Sequence, residues 1–340
     1  MNKQSVVNFD LLRVVACFLV VLLHTSGYKF YIFDEYWWAS NFYDSLSRCS
    51  VPIFFMISGA LLLTKEENIF LFYKKRVQRL LPPIIAWSII YMLWNYYHGV
   101  SYGNLWGWIK TLLKGPVFFH LWYLYSIFGL YLFTPFLRKI YINSSIKEKV
   151  IFLFIWFFVS SLPSLSHLFD IKANIVSVYN LKYFSDYIGY FFSGAFLYEY
   201  RRNVTKYNII NILGYMISVF CIMFFTYIFS KKNGSPTEIF YVYTSIFVIM
   251  SSLFFYNICY KAGYIINNLF AKIIRYLSQL TLGIYCIHIL VMDRLYVYFS
   301  INVNMGNVWW SIPLTAVISF CFSAIIILII KKIKIIRVIV

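Results

Sequence analysis

The stretch FDLLRVVACFLVVLLHTS, residues 9–26, places two ionisable side chains, Arg13 and His24, in an otherwise apolar run long enough to begin a membrane span. Eleven helical steps of roughly 100° return the second side chain to within about 20° of the first, roughly 16 Å further along the axis. Both therefore face one way, one toward each half of a bilayer. Ionisable groups are costly in a membrane interior and mark pathways or sites. This run fixes the reading of everything that follows it.

Outward from this run, the composition is that of an integral membrane protein. Of 340 residues, 61% are hydrophobic and 12% are charged, whereas soluble domains average about 45–50% apolar and about 25% charged. One globular core cannot hide that excess. Apolar runs near 9–29, 44–64, 82–98, 119–138, 149–166, 183–200, 208–230, 239–258, 277–299 and 309–330 predict an all-α polytopic transmembrane bundle of about ten spans. Pro135 and Pro163 interrupt the fourth and fifth. The first run is expected to be a retained span, since it lacks a small-x-small cleavage site. Residues 1–340 are expected to form one membrane domain, without repeats or an appended soluble unit.

The net charge of +18 would suggest nucleic acid in a soluble chain, but here it follows topology. Lys65, Lys74, Lys75, Arg76 and Arg79 follow the second run; Arg138, Lys139, Lys147 and Lys149 follow the fourth. Arg201, Arg202 and Lys206 follow the sixth, Lys261, Lys272 and Arg275 the eighth, and Lys331, Lys332, Lys334 and Arg337 the last. The alternate connections hold only Lys29, Lys110, Lys114, Lys172, Lys182, Lys231 and Lys232. By the positive-inside rule both termini are expected in the cytoplasm. No nucleic-acid partner is expected. The six cysteines have no C-x-x-C pair, so neither a disulfide framework nor a metal site is expected. Tyr36-Trp37-Trp38, Trp106, Trp108 and Trp309-Trp310 read as interfacial anchors.

On this topology the polar residues form two sets. Asp10 and Arg13, with Arg76 and Arg79, lie toward the cytoplasm; His24, Arg48, His120, His288, Asp293 and Arg294 lie toward the outside. Asp10 and Arg13 are an i,i+3 pair: either a helix-end ion pair or the inner mouth of an anion site. Lys75, Arg76 and Arg79 form a basic stripe at i,i+3 and i,i+4 that suits phosphates through charge-assisted hydrogen bonds, or the lipid surface. His24 has the chemistry of a general base or a nucleophile. His120-Leu121-Trp122-Tyr123 reads either as a carbohydrate-binding edge or as an aromatic anchor. His288 is mid-span, Arg48 is expected to snorkel to the outer surface, and Asp293 with Arg294 to pair with neighbouring helices. No P-loop, H-E-x-x-H or G-x-S-x-G elbow is present.

Taken in order, FDLLRVVACFLVVLLHTS (9–26), SRCSVPIFFMISGALLL (47–63), RVQRLLPP (76–83), GPVFFHLWYLYSIFGLYLFTPFL (115–137) and LGIYCIHILVM (282–292) resemble the acyltransferase-3 family of multi-pass membrane proteins. The resemblance is closest to bacterial O-acetyltransferases that modify surface polysaccharides, enterobacterial common antigen among them. It implies that Arg13 and His24 are the family's R-x10-H pair and Arg76 with Arg79 its R-x-x-R motif. It also implies acetyl-CoA (an acyl-CoA) as cytoplasmic co-substrate, no permanently bound cofactor, a glycan hydroxyl as acceptor, and the bacterial inner membrane as location. Combined with the reading of the other polar residues, His24, Arg13 and Asp10 are expected to take catalytic places, Arg76, Arg79 and Lys75 to hold the acyl-CoA, and Arg48, His120, Trp122, Tyr123 and His288 to lie at the acceptor side or oxyanion. From the residues alone, a transporter or flippase for a lipid-linked saccharide or small anion fits the same pattern.

Overall fold

The computed structural model describes residues 3–171, 175–200, 208–334 and 336–340, and among them the regular structure is helical throughout. Lys172, Arg201, Arg202 and Lys206 of the charge pattern lie outside the described residues. In chain order the helices are α1 (Lys3–Phe30), α2 (Trp37–Ser47), α3 (Ser50–Leu62), α4 (Ile69–Tyr97), α5 (Leu105–Lys114), α6 (Trp122–Asn143) and α7 (Ile146–Leu168). They continue as α8 (Ile175–Val178), α9 (Ile188–Glu199), α10 (Asn208–Asn233), α11 (Ile246–Ala262), α12 (Asn268–Ser278), α13 (Thr281–Phe299) and α14 (Val308–Lys332).

Seven of these units are long and apolar enough to cross a membrane: α1 from Val6, α2 with α3 as one unit, α4, α7, α10, α13 and α14. An eighth arises if α5 and the segment Phe119–Asn143, bent by 48° against each other, count as one. The remaining two expected runs are shorter than read. Residues 183–200 yield only the 12 residues of α9, and 239–258 yield the 17 residues of α11 after a series of turns. A 12-residue helix spans about 18 Å, well short of a hydrocarbon core of about 30 Å. The multi-pass helical architecture therefore stands, while the figure of ten does not follow from helix length.

Two boundaries differ in ways that matter for the site. Residues 76–83 are not a loop before a span. Asn68 caps α4 by accepting from the Leu71 amide at 3.1 Å, and the helix runs on through Pro82 and Pro83. Arg76 and Arg79 thus ride on the first turns of a spanning helix. Pro135 and Pro163 likewise sit inside continuous α6 and α7. Proline removes one intrahelical hydrogen bond, and helices packed in a bundle tolerate that loss.

The centre of the bundle is α1 with α2–α3. Their most apolar windows are 67% and 72% buried, against 28% for α7 and α10, which turn most of their surface outward. Small residues allow the closest crossing. A Cβ on Gly59 would lie 1.7 Å from the Phe191 carbonyl oxygen, and one on Gly194 1.9 Å from that of Met56, so α3 and α9 touch backbone to backbone.

Helix α13 runs alongside α1 in the same direction. Ser278, just before α13, donates to Asp10 at 2.6 Å; Cys17 donates to the Thr281 carbonyl at 3.5 Å; Thr25 reaches the Met292 sulfur at 3.9 Å. Positions on α1 and α13 thus rise together at a nearly constant offset. This register brings the two polar ends of α1 beside matching residues of α13.

Candidate active site

At one end of the bundle a cavity of about 260 Å³ is lined by Arg13, Ser58, Arg76, Arg79, Tyr123, Tyr131 and Tyr285, with apolar side chains of α3, α4 and α6 between them. Arg13 donates to Asp10 at 3.0 Å, and its side chain keeps 27% exposure where Asp10 keeps 7%. Asp10 faces away from the space, accepting from Ser278 and lying 4.0 Å from Arg275. It holds the guanidinium in place and does not line the cavity. Arg76 lies 3.6 Å from Glu67, with its guanidinium over the rings of Phe72 and Tyr131 at 5.1 and 5.9 Å. Arg79 is exposed and makes no ion pair among the described residues. Three guanidiniums therefore share one concave space, which suits a polyanion.

Lys75 is placed differently. It pairs with Glu67 at 2.6 Å, is exposed, and does not line the cavity. Glu67, which sequence reasoning passed over, organises this rim. The Lys75 hydrogen bond holds its carboxyl below the ordinary range, helped by the charges of Lys75, Arg76 and Arg138. Its backbone carbonyl accepts from Arg138 at 3.3 Å, and Arg138 also donates to the Leu62 carbonyl at the end of α3 at 2.7 Å.

The cavity ends at two tyrosines, Tyr123 and Tyr285, whose rings meet nearly edge to face with centroids 5.6 Å apart. Tyr285 belongs to both ends. Its ring lines the arginine cavity, its hydroxyl donates to the His120 carbonyl, and its own carbonyl accepts from His288 Nδ1 at 2.7 Å. The next carbonyl, that of Cys286, accepts from His120 Nε2 at 3.2 Å and from the Tyr91 hydroxyl at 2.8 Å.

Beyond the tyrosines, three histidines from three elements converge. The His24 ring centroid lies 5.2 Å from that of His288 and 6.3 Å from that of His120, and the last two are 5.1 Å apart. His120 and His288 are buried; His24 is partly exposed and carries the exposed ring of Phe119 at 5.3 Å. No group of three or more His, Cys, Asp or Glu among the described residues is arranged to hold a metal ion. The six cysteines are free.

Other expected residues lie elsewhere. Arg48 does not snorkel to the surface. Its side chain keeps only 12% exposure, forms an ion pair with buried Asp44 at 2.5 Å, donates to the Tyr241 carbonyl at 3.2 Å and stacks on that ring at 4.1 Å. A charge this deep needs a partner, and Asp44, four residues earlier on α2, supplies it. Trp122 packs on Tyr187 and Tyr243, and none of its ring contacts is to a histidine. Asp293 and Arg294 pair with each other at 2.5 Å instead of with neighbouring helices, and Arg294 stacks on Trp94 at 4.3 Å.

The residues that sequence reading missed are Tyr285, Tyr91, Asp44, Ser278 and Glu67. Two had a local signal, since Asp44 is i,i+4 from Arg48 and Tyr285 is i,i+3 from His288. Tyr91 and Ser278 had none.

A spanning helical bundle with a guanidinium cavity at one end and an imidazole cluster at the other, joined through one tyrosine, is a multi-pass membrane protein with a composite polar site. The chain belongs to the acyltransferase-3 family: a family model described as an acyltransferase domain matches residues 6–330. No curated protein and no solved structure matches it. Family membership makes this a membrane acyltransferase.

Proposed function

We propose that the protein is a membrane O-acyltransferase that takes acetyl from acetyl-CoA on the cytoplasmic side and places it on a hydroxyl of a cell-surface or lipid-linked glycan at the outer side. It works in the bacterial inner membrane with both termini in the cytoplasm. The observation that supports this most is Tyr285, which lines the arginine cavity and bonds to the two histidines beside His24. One residue thus borders a place for a polyanionic donor and a place for proton transfer.

In this reading the donor's phosphates rest on Arg76 and Arg79 at the inner mouth, with Lys75 and Glu67 setting the rim. Arg13, steered by Asp10, lies deeper along the donor's path. The thioester passes Tyr123 and Tyr285 toward His24. An imidazole nitrogen of His24 takes the proton of the acceptor hydroxyl as its oxygen attacks the thioester carbonyl. Collapse breaks the carbon–sulfur bond, forms the ester, and returns the proton from His24 to the departing thiolate. His120 and His288 border the acceptor side, and Arg48, fixed by Asp44, supplies positive charge from within the bundle.

The test uses purified protein in detergent, acetyl-labelled CoA ester and envelope glycan. Label is expected to appear in the glycan as an alkali-labile ester. Uptake of glycan or anion into proteoliposomes without covalent transfer would overturn the enzyme reading in favour of a transporter. Label trapped on His24 when acceptor is withheld would replace direct attack with an acetyl-imidazole relay.

A further inference from the structure

Two imidazole nitrogens in the histidine cluster are buried and bonded to nothing: His120 Nδ1 and His288 Nε2. Their parent side chains are 1% and 0% exposed. Backbone carbonyls only accept hydrogen bonds, so they assign the tautomers. His288 Nδ1 faces the Tyr285 carbonyl and carries the hydrogen, leaving the lone pair on Nε2. His120 Nε2 faces the Cys286 carbonyl and carries the hydrogen, leaving the lone pair on Nδ1. In the neutral rings both free nitrogens are therefore acceptors.

Nearby protein donors are already engaged. The Tyr91 hydroxyl goes to the Cys286 carbonyl and the Tyr285 hydroxyl to the His120 carbonyl. His24, though 5.2 and 6.3 Å away ring to ring, bonds neither nitrogen. Buried polar atoms in proteins are satisfied as a rule, and an orphan points to a partner that arrives. The chemistry of that partner is restricted. An anion would meet two lone pairs. A cation would be buried with no carboxylate, since no Asp or Glu makes a hydrogen bond or ion pair with the three rings among the described residues. What fits is a neutral group with more than one O–H.

We propose that His120 and His288 read a second hydroxyl of the acceptor: the substrate class is a vicinal polyol such as a pyranoside ring, which offers its reacting hydroxyl to His24 and donates a neighbouring hydroxyl to His288 Nε2 or His120 Nδ1. This rests on the reading of His24 as proton acceptor in O-acyl transfer, and it adds a reason for carbohydrate selectivity. A lone alcohol leaves a buried acceptor unpaired. Water, held loosely in its place, does not carry the ring to which the reacting hydroxyl is attached.

The probes are methyl β-D-glucopyranoside and its monodeoxy analogues, with acetyl-labelled CoA ester, assayed alongside envelope glycan. Two analogues with neighbouring positions missing are expected to fail. One gives no ester because the reacting oxygen is gone; the other is slowed roughly 5- to 150-fold because a buried acceptor is left unpaired. Of His288→Phe and His120→Phe, the one that removes the nitrogen taking this hydroxyl lowers the parent glycoside to the rate of that second analogue and abolishes the second loss, with KM for acetyl-CoA unchanged. His288→Gln, whose amide oxygen accepts, restores part of the discrimination.

If only one deoxy position matters, or both Phe variants keep the wild-type profile, the second-hydroxyl reading is overturned while acetyl transfer stands. Label in envelope glycan but none in the glucoside overturns the pyranoside class. No label in any glycan overturns the underlying reading as well. Should the Phe variants fail to fold, ¹⁵N-histidine spectra of the wild-type protein decide. The two lone-pair nitrogens are expected to shift on titration with the glucoside, and unchanged signals overturn the proposal.

Discussion

The arginine end and the histidine end of this bundle meet along α1 and α13 and solve opposite problems. At the arginine end charge is plentiful and water is near. Arg13 is balanced by Asp10, Arg76 by Glu67, and Arg79 is left free beside a cavity of about 260 Å³. At the histidine end three imidazole rings pack within 6.3 Å of one another; His120 and His288 are bonded to backbone carbonyls, and among the described residues none of the three pairs with a carboxylate. Open charge suits gripping a polyanion that must leave again after each turnover. An imidazole cluster with two buried rings behind a partly exposed one suits taking and returning one proton. Tyr285 lies between the two, lining the cavity on one side and bonded to both buried histidines on the other, so neither end is built independently.

This contrast breaks most sharply at His24. Replacing it by alanine is expected to lower acetyl transfer by roughly 10²–10⁴-fold, with insertion and monodispersity retained in size-exclusion chromatography. Wild-type rates in that variant would remove the proton-transfer role from the histidine end. Arg76→Ala with Arg79→Ala strikes the other end. KM for acetyl-CoA is expected to rise roughly 10- to 100-fold through loss of charge-assisted hydrogen bonds, with kcat much less affected. An unchanged KM would mean that the donor's phosphates bind elsewhere.

Tyr285→Phe tests the join. It keeps the ring that borders the cavity and deletes only the hydroxyl on the His120 carbonyl. It is expected to lower kcat by roughly 5- to 10-fold with little effect on KM for acetyl-CoA, as befits one hydrogen bond. A change confined to KM would assign Tyr285 to the donor cavity alone. The smallest effect is expected from acid. Glu67 is held below the ordinary carboxylate range of about 4.3 by Lys75 and then by neighbouring charges. The order it gives the rim is complete above that ordinary value and is lost as pH falls through the lowered folded-state value. KM for acetyl-CoA is expected to climb modestly in that acidic window for the wild type. Glu67→Gln should show the raised KM already at neutral pH and no further climb. A parallel climb in both would place the titrating group elsewhere.

Much of this architecture was legible in the chain. Helical periodicity put Arg13 and His24 on one face of α1, and apolar run length marked the long spans. The order of the motif blocks pointed to the acyltransferase-3 family. Local spacing also announced Asp10 with Arg13. The shortfalls have physical causes. Pro135 and Pro163 read as breaks in their runs, yet packed helices absorb a missing hydrogen bond. Run length overstated α9 and α11, because hydrophobicity alone does not distinguish a span from apolar turns buried against neighbours. Arg48 taken alone reads as surface-seeking, whereas Asp44, four residues earlier on α2, holds it inside.

What the amino-acid order determined by itself is everything set by neighbours along one helix: which face Arg13 and His24 share, where Arg76 and Arg79 fall relative to each other, and that most of the surface must meet lipid. Only the tertiary structure decided that His24 meets His288 across 264 intervening steps of chain, that Tyr285 spans both ends, and that two imidazole nitrogens are left without donors. Those depend on the parallel register of α1 against α13, and register between distant helices comes from side-chain packing in three dimensions, which no short-range pattern encodes.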